Sequence, residues 1–271
     1  MTGTIAMSPT QRFAGIVPAA SHQIDPSLDV LDSTTAGVLV LKSGQLRSQY
    51  RNEGRVFARE LAKHVNRRQG GKATALVYEE TFGYEDRLHW LIHLQGLQTY
   101  YDMVEMGDQD RAYRESVAAE RVADAESGGA WDRLFLDGSM RSDVLLPLNG
   151  PAATPAPLNS ATAGIVVHRV AQPGYGMRAE ALEVAAELTA ALNADAGEEV
   201  GAVCFEEAFG PSGRLHWLIH LRDLTAWDRV RRNPAFRSEG RPGVFVDSGR
   251  DDIALTPHHW GLYATTPSHT P

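Results

Sequence analysis

Leu88, Trp90, Ile92 and Leu94 alternate with His89, Leu91 and His93, the period-two pattern of a strand with one apolar face and one mixed face. Upstream, Ala73 to Phe82 reads as its hairpin partner across a glycine-containing turn. Val38 to Leu41 is a short β-branched run that predicts an earlier strand. Between these, Arg51 to Arg68 carries Val56, Phe57, Leu61 and Val65 at helical spacing. Past the hairpin, Gly96 to Glu105 predicts a second helix, and Leu134 to Asp137 leads into a last strand at Val144 to Leu148. The order is strand, helix, strand, strand, helix, strand.

The same order then runs a second time. Thr35 to Leu41 matches Thr162 to His168, Tyr78 to Gly83 matches Phe205 to Gly210, and Arg87 to Leu94 recurs unchanged as Arg214 to Leu221. The offset is constant (162 − 35 = 127 and 216 − 89 = 127), so the chain reads as an internal duplication. In the second copy Met177 to Leu192 is the first helix, with Leu182, Val184, Leu188 and Leu192. Asp223 to Arg231 is the second helix, with Trp227 at the position of Tyr100. Val244 to Asp247 and Ile253 to Leu255 close the copy. The expected organisation is an N-terminal arm or disordered segment (1–33), a first repeat (34–148), a proline-rich linker (149–160), a second repeat (161–262) and a tail (263–271). The first copy carries extra Ala, Glu and Gly residues at about 113–130, read as an exposed loop or a helix extension.

Composition narrows the function classes. A net charge of −8 in 271 residues argues against a nucleic-acid partner. The one basic cluster, Lys63, His64, Arg67 and Arg68, falls at a helix end, where cations offset the dipole. No apolar run reaches the roughly 20 residues that span a bilayer, and no signal peptide is seen, so a cytoplasmic protein is expected. Cys204 is the single cysteine, and its apolar neighbours make it an inert core residue. Gly174-Tyr175-Gly176 lacks the third glycine of a phosphate loop, and no Gly-x-Ser-x-Gly elbow is present.

The βαββαβ order resembles the dimeric α+β barrel group of ferredoxin-like proteins, which includes antibiotic-biosynthesis monooxygenases and small polyketide cyclases. So does the stretch Gly213 to Leu221, followed by Asp223-Leu224 and the aromatic Trp227. The resemblance covers roughly 34–148 and 161–260. It implies an α+β fold in which two tandem ferredoxin-like repeats pack sheet to sheet as an intramolecular pseudo-dimeric barrel around a cavity. It also implies an oxygenase or cyclase of specialised metabolism acting, without a cofactor, on an apolar aromatic or polyketide-like substrate. Whether two chains pair as a homodimer is left open by the sequence.

Strand alternation supplies the candidate groups. If the Trp90 face packs on helices, His89, Leu91 and His93, with His216, Leu218 and His220, point between the sheets. Glu79 and Glu80 are adjacent, so only one of them shares the histidine face. A turn centred on Tyr84 and Glu85 would set Glu80 opposite His89, whereas a bulge at Pro211 to Gly213 would bring Glu206 round. With Glu80 and Glu207 inward, Tyr78, Phe82, Phe205 and Phe209 would wall the cavity. In the acid–base reading His89 and His216 transfer protons, Glu80 and Glu207 orient them, and His93 and His220 contact substrate. The alternative is a divalent metal (Fe, Mn, Cu or Zn) held by His89, His93, His216 and His220. Histidines four apart on a strand sit about 13 Å apart, so a metal would need one from each half. A third reading is a non-catalytic cavity that sequesters a ligand. His258 and His259, before Trp260, have no counterpart in the first copy and read as a solvent-exposed strand end. Asp137 and Asp247 read as turn residues, and Tyr100, Tyr101 and Trp227 as helix core.

Overall fold

Phe57, Ala58, Leu61, Ala62 and Val65 line one face of a helix and are buried, so Arg51–Arg68 (α1) forms as its periodicity predicts. It lies on the outer face of a sheet built from β1 (Val38–Gln45), β2 (Ala73–Phe82), β3 (Arg87–Leu94) and β4 (Arg141–Pro147). Shorter helices α2 (Leu97–Gln109), α3 (Arg111–Ala118) and α4 (Ala130–Leu134) complete this half. The second half has β5 (Ile165–Ala171), α5 (Arg178–Asp195), β6 (Val200–Glu207), β7 (Leu215–Leu221), α6 (Leu224–Arg232), α7 (Pro234–Arg237) and β8 (Asp251–Pro257). The computed structural model describes residues 19–118, 130–195, 198–237, 241–246 and 251–257. Asp247, His258, His259, Trp260 and the tail therefore lie outside the described residues, as does much of the 113–130 insertion.

Every strand pairing is antiparallel, and the eight strands close into one barrel in the order β1-β3-β2-β8-β5-β7-β6-β4. The two sheets do more than pack face to face. They join along both edges, β2 with β8 and β4 with β6, so no sheet edge is left unpaired among the described residues. Trp90 and Trp217 face outward, each under the helices of its own half. The opposite faces of the strands make a third core inside the barrel, with Leu39, Leu41, Leu76, Leu91, Val166, Leu218 and Leu255.

Residues 19–33, read from the sequence as an arm, instead pack on the barrel. The Gln23 side chain brackets Val77, donating to its carbonyl at 2.7 Å and accepting from its N–H at 2.8 Å. Asp32 to Ala36 and Asn159 to Ala163 form matching turns, each closed by the Asx side chain on the backbone two residues on. The second of these turns begins inside the segment read as a linker. Tyr100 and Tyr101, read as core, are exposed, while Trp227 packs against the second outer core.

The glycines that follow the two turns show how closely these segments dock. A Cβ on Gly37 would stand 2.3 Å from the Gln95 carbonyl oxygen, and one on Gly164 would stand 2.3 Å from that of Arg222. Gly37→Ala or Gly164→Ala should therefore force β1 from β3, or β5 from β7. We expect each to lower stability by about 1–3 kcal/mol, read as a shift of the urea midpoint. An unchanged midpoint would refute the close docking.

Candidate functional site: a polar barrel end with unequal His–Glu pairs

Adjacent glutamates in a strand must face opposite ways, and the structure uses both faces. Glu79 and Glu206 point outward to helix arginines, with Arg55 Nε 2.7 Å from Glu79 and Arg178 Nε 2.8 Å from Glu206. Glu80 and Glu207 point inward, where His89 Nε2 lies 3.3 Å from Glu80 and His216 Nε2 lies 3.4 Å from Glu207. Glu80 is not directly opposite His89. Tyr78 is, and Phe205 is opposite His216, because the turn centres on Gly83 and Tyr84 rather than on Tyr84 and Glu85. Each inner glutamate is thus one step diagonal to its histidine. Gly83 (φ 131°) and Gly210 (φ 143°) let the carboxylates fold back, since a Cβ on either would sit 2.0 Å from the glutamate Oε1.

His93 and His220 serve a different part of the molecule. Ser33 N–H donates to Ser160 Oγ at 3.0 Å, and Ser160 N–H donates to Ser33 Oγ at 3.1 Å. His93 Nε2 lies 2.9 Å from Ser160 Oγ, and His220 Nε2 lies 2.9 Å from Ser33 Oγ. Their Nδ1 atoms lie 3.2 Å from the carbonyls of Thr74 and Gly201. A carbonyl only accepts, so each Nδ1 carries the hydrogen and each Nε2 accepts from a serine hydroxyl. The clasp requires neutral imidazoles. Burial accordingly pushes His93 down to about 4, against the pull of the Asp32 charge and the Thr74 carbonyl. Burial also pushes His220 down to about 4. Tyr78, expected to line a cavity, donates its hydroxyl to the Ser160 carbonyl and is fully buried.

At the other end the two halves diverge. Burial acts to raise the Glu80 carboxyl, but hydrogen bonds from His89 and from the Tyr84 N–H (2.9 Å), with the charges of His89 and Arg87, outweigh it and hold it low. Glu207 is pushed up instead, by burial first and by Asp143, with Arg214 and Arg141 opposing. One cause is covalent. The residue at the Tyr84 position is Pro211 (84 + 127 = 211), which has no N–H to donate. Likewise Leu41 becomes His168 (41 + 127 = 168), whose Nε2 lies 3.0 Å from His216 Nδ1. Burial lowers His168, helped by the charges of His216, His89 and Arg141. His216 is pushed to about 3 by burial, with Arg214 and Arg141 adding to it.

Two buried nitrogens here, His89 Nδ1 and His168 Nδ1, have no hydrogen-bond partner among the described residues. In the neutral tautomer whose Nε2–H donates to Glu80, His89 Nδ1 is a bare lone pair. With Glu207 protonated, its O–H donates to His216 Nε2, His216 Nδ1–H donates to His168 Nε2, and His168 Nδ1 presents an N–H. Ionising Glu207 reverses that row of bonds. In those states the arrangement offers one proton acceptor and one switchable proton donor.

The barrel interior is packed rather than hollow around the expected wall. Leu91, Leu218, Tyr78 and Phe205 are fully buried against one another in the inner core. Phe82 (64% exposed) and Phe209 (68% exposed) stand at the rim in solvent. Strand alternation would have turned Phe82 inward, but a register shift between Glu80 and Phe82 against β8 re-aims it. Phe209 lies beyond the end of β6. An open groove of about 570 Å³ runs beside this rim, lined by Gln45, Arg47, Ser48, Tyr84, Arg87 and Asp137 among others. Asp137, read as a turn residue, pairs there with Arg47. Among the described residues, no group of three or more His, Cys, Asp or Glu is placed to hold a metal ion. His89 and His93, four apart, bond to groups at opposite ends of the barrel. Cys204 is buried, and burial pushes its thiol well up.

Ser33, Ser160, His168, Asp143 and the arginines 87, 141 and 214 carry no site role in the sequence reading, and Tyr84 and Pro211 enter it only as turn residues. The repeat itself held part of the signal. Extending the 127-residue offset by a few positions aligns Asp32-Ser33 with Asn159-Ser160, and it shows His168 as an inward departure from Leu41.

The sequence matches the profile of a family of unknown function, DUF6039, over residues 8–157 and 153–238. No match is found among curated proteins. Among solved structures, the fold is similar to a provisionally named monooxygenase from Lactobacillus acidophilus NCFM (TM-score 0.56, 10% identity, 82% of this chain and 93% of that one). It is similar to another such protein from Fusobacterium nucleatum subsp. nucleatum ATCC 25586 (TM-score 0.57, 8% identity, 82% and 93%). It is also similar to an anthrone oxidase-like protein (TM-score 0.51, 13% identity, 84% and 94%). These likenesses show a shared dimeric α+β barrel fold. Among the described residues no helix is long and apolar enough to cross a membrane.

Two outcomes are expected. The fold keeps His93 and His220 neutral down to about 4, whereas the unfolded chain protonates them near 6.5. Their contribution is therefore complete above 6.5 and falls away as pH drops towards 4, by up to about 1.4 kcal/mol per pH unit for each histidine. Urea midpoints at several pH values would read this, and His93→Gln with His220→Gln should flatten the slope. Second, Pro211→Tyr restores a backbone donor and should lower the Glu207 carboxyl towards Glu80, while Tyr84→Pro should raise Glu80. Carbon-13 titration of labelled glutamates checks both directions.

Proposed function

We propose that this chain, which belongs to the DUF6039 family of unknown function, is a small-molecule enzyme working by proton transfer at the polar end of its barrel. In this reading the chain is a duplicated ferredoxin-like βαββαβ unit. The equal strand orders of its halves, β4-β1-β3-β2 and β8-β5-β7-β6, support that. The observation that carries the function is the pair of buried nitrogens, His89 Nδ1 and His168 Nδ1, that have no hydrogen-bond partner among the described residues. Buried polar atoms without partners are costly, so a site that keeps two of them is suited to a ligand that supplies both.

The matching ligand carries an acidic C–H or O–H beside a carbonyl. His89 Nδ1 takes the proton, with Glu80 holding the ring and offsetting the imidazolium charge. The carbonyl oxygen, becoming enolate, receives a hydrogen bond or the proton from His168 Nδ1, and His216 passes the deficit to Glu207. An enolate of this kind begins both a cofactor-free oxygenation and a cyclisation. The groove lined by Arg47, Tyr84 and Arg87 supports a substrate with a polar or anionic end approaching from that side. The monooxygenase and anthrone oxidase-like names of the fold neighbours agree with an enolisable aromatic substrate. At 8–13% identity the likeness itself shows the fold alone.

Anthrone and 2-tetralone are suitable probes, with α-proton exchange followed by NMR in deuterated buffer and oxygen uptake followed in parallel. The chain should accelerate exchange, and His89→Ala should cost about 10²–10⁴-fold. His168→Leu, which copies the first half, should cost less. Oxygen uptake alongside exchange marks an oxygenase. Exchange no faster than in buffer, or unaffected by His89→Ala, sinks the proposal. A probe bound tightly and returned unchanged would point to a sequestering module.

A further inference from the structure

Outside the barrel the two halves treat one equivalent position differently. Arg169 of β5 stands between Trp217 and Asp252 on the neighbouring strands, and its Nε and Nη2 each donate to an Asp252 carboxylate oxygen at 2.7 Å. Its plane covers the Phe236 ring at 3.7 Å. The second half thus satisfies its cation with its own carboxylate and its own aromatic ring. The corresponding residue of the first half is Lys42 (42 + 127 = 169), set between Trp90 and Ser142. Its Nζ lies 4.5 Å above the Trp131 ring, so the aromatic partner is kept. The carboxylate is not, because Ser142 occupies the place of Asp252. Among the described residues Lys42 makes no ion pair, and burial lowers its amine.

A pocket of about 320 Å³ opens on that lysine, between the outer face of the sheet and α1 to α3. Trp90, Trp131, Tyr100, Met103 and Tyr113 line it, and Asp108 stands exposed at its edge. The volume lies near the lower end of the range for small-molecule sites, and the walls suit a flat apolar body. We propose that the first half binds an aromatic carboxylate in this pocket, its ring among the tryptophans and tyrosines and its anion on Lys42. The ligand supplies to Lys42 what Asp252 supplies to Arg169. A carboxylate on a half-buried amine makes a charge-assisted hydrogen bond stronger than a surface pair. The site is separate from the barrel end and does not depend on the proton-transfer reading.

The probe is 2-naphthoate, with the neutral 2-naphthylmethanol as its partner, titrated calorimetrically against the full chain. One 2-naphthoate should bind per chain, at least tenfold more tightly than the alcohol. Lys42→Met should weaken the acid tenfold or more and change the alcohol less than threefold. Ser142→Asp, which rebuilds the partner that Arg169 has, should also weaken the acid tenfold by occupying the amine from within. Thermal melting confirms that each variant folds, and the two variants approach the same amine from opposite sides. Equal binding of acid and alcohol, no saturable binding of 2-naphthoate, or unchanged affinity in both variants would overturn the assignment.

Discussion

Closing eight strands into one barrel brings together two turns that are 127 residues apart, and the backbone polar groups of those turns are then cut off from water. A buried N–H must find an acceptor. Ser33 and Ser160 meet this need for each other, and each passes its hydroxyl hydrogen to a histidine from the opposite half. The clasp ties the segment before each β1-type strand to the hairpin of the other copy. It also accounts for His93 and His220 without reference to chemistry, since they are needed as neutral acceptors in a dry place.

Strand alternation then distributes the remaining polar groups. In each Glu-Glu pair the outer member anchors a helix through an arginine, and the inner member meets a histidine. The inner cluster sits at the barrel end opposite the clasp, where four arginine-bearing or acidic neighbours set its charge balance. One short sequence, Arg-Leu-His-Trp-Leu-Ile-His-Leu, therefore carries an outward core face, a histidine of the serine clasp and a histidine facing a glutamate, according to which side and which end each residue occupies.

Small departures between copies do the rest. A proline in place of a tyrosine removes one N–H, and the carboxyl below it moves up instead of down. A histidine in place of a leucine extends one pair into a row of three. A serine in place of an aspartate leaves a lysine over an open pocket with no carboxylate partner among the described residues. A duplicated chain keeps its architecture through the shared residues and can divide its chemistry through the unshared ones.

The duplication, the order of strands and helices, the outward Trp90 face and the inward His89 face were all legible in the sequence. Each is a matter of period or of repetition, and both survive without a third dimension. The extent of β1 beyond Leu41, the packed state of residues 19–33 and the clasp serines were not. They depend on contacts between residues more than 40 positions apart, which local pattern does not carry. The aim of Phe82 was misread because a bulge against β8 breaks the alternation that the hairpin alone predicts. Whether the barrel would be hollow was likewise decided by tertiary packing. Leu91, Leu218, Tyr78 and Phe205 fill the space that alternation assigned them, and only their combined volumes, brought together by closure, determine how much of it remains.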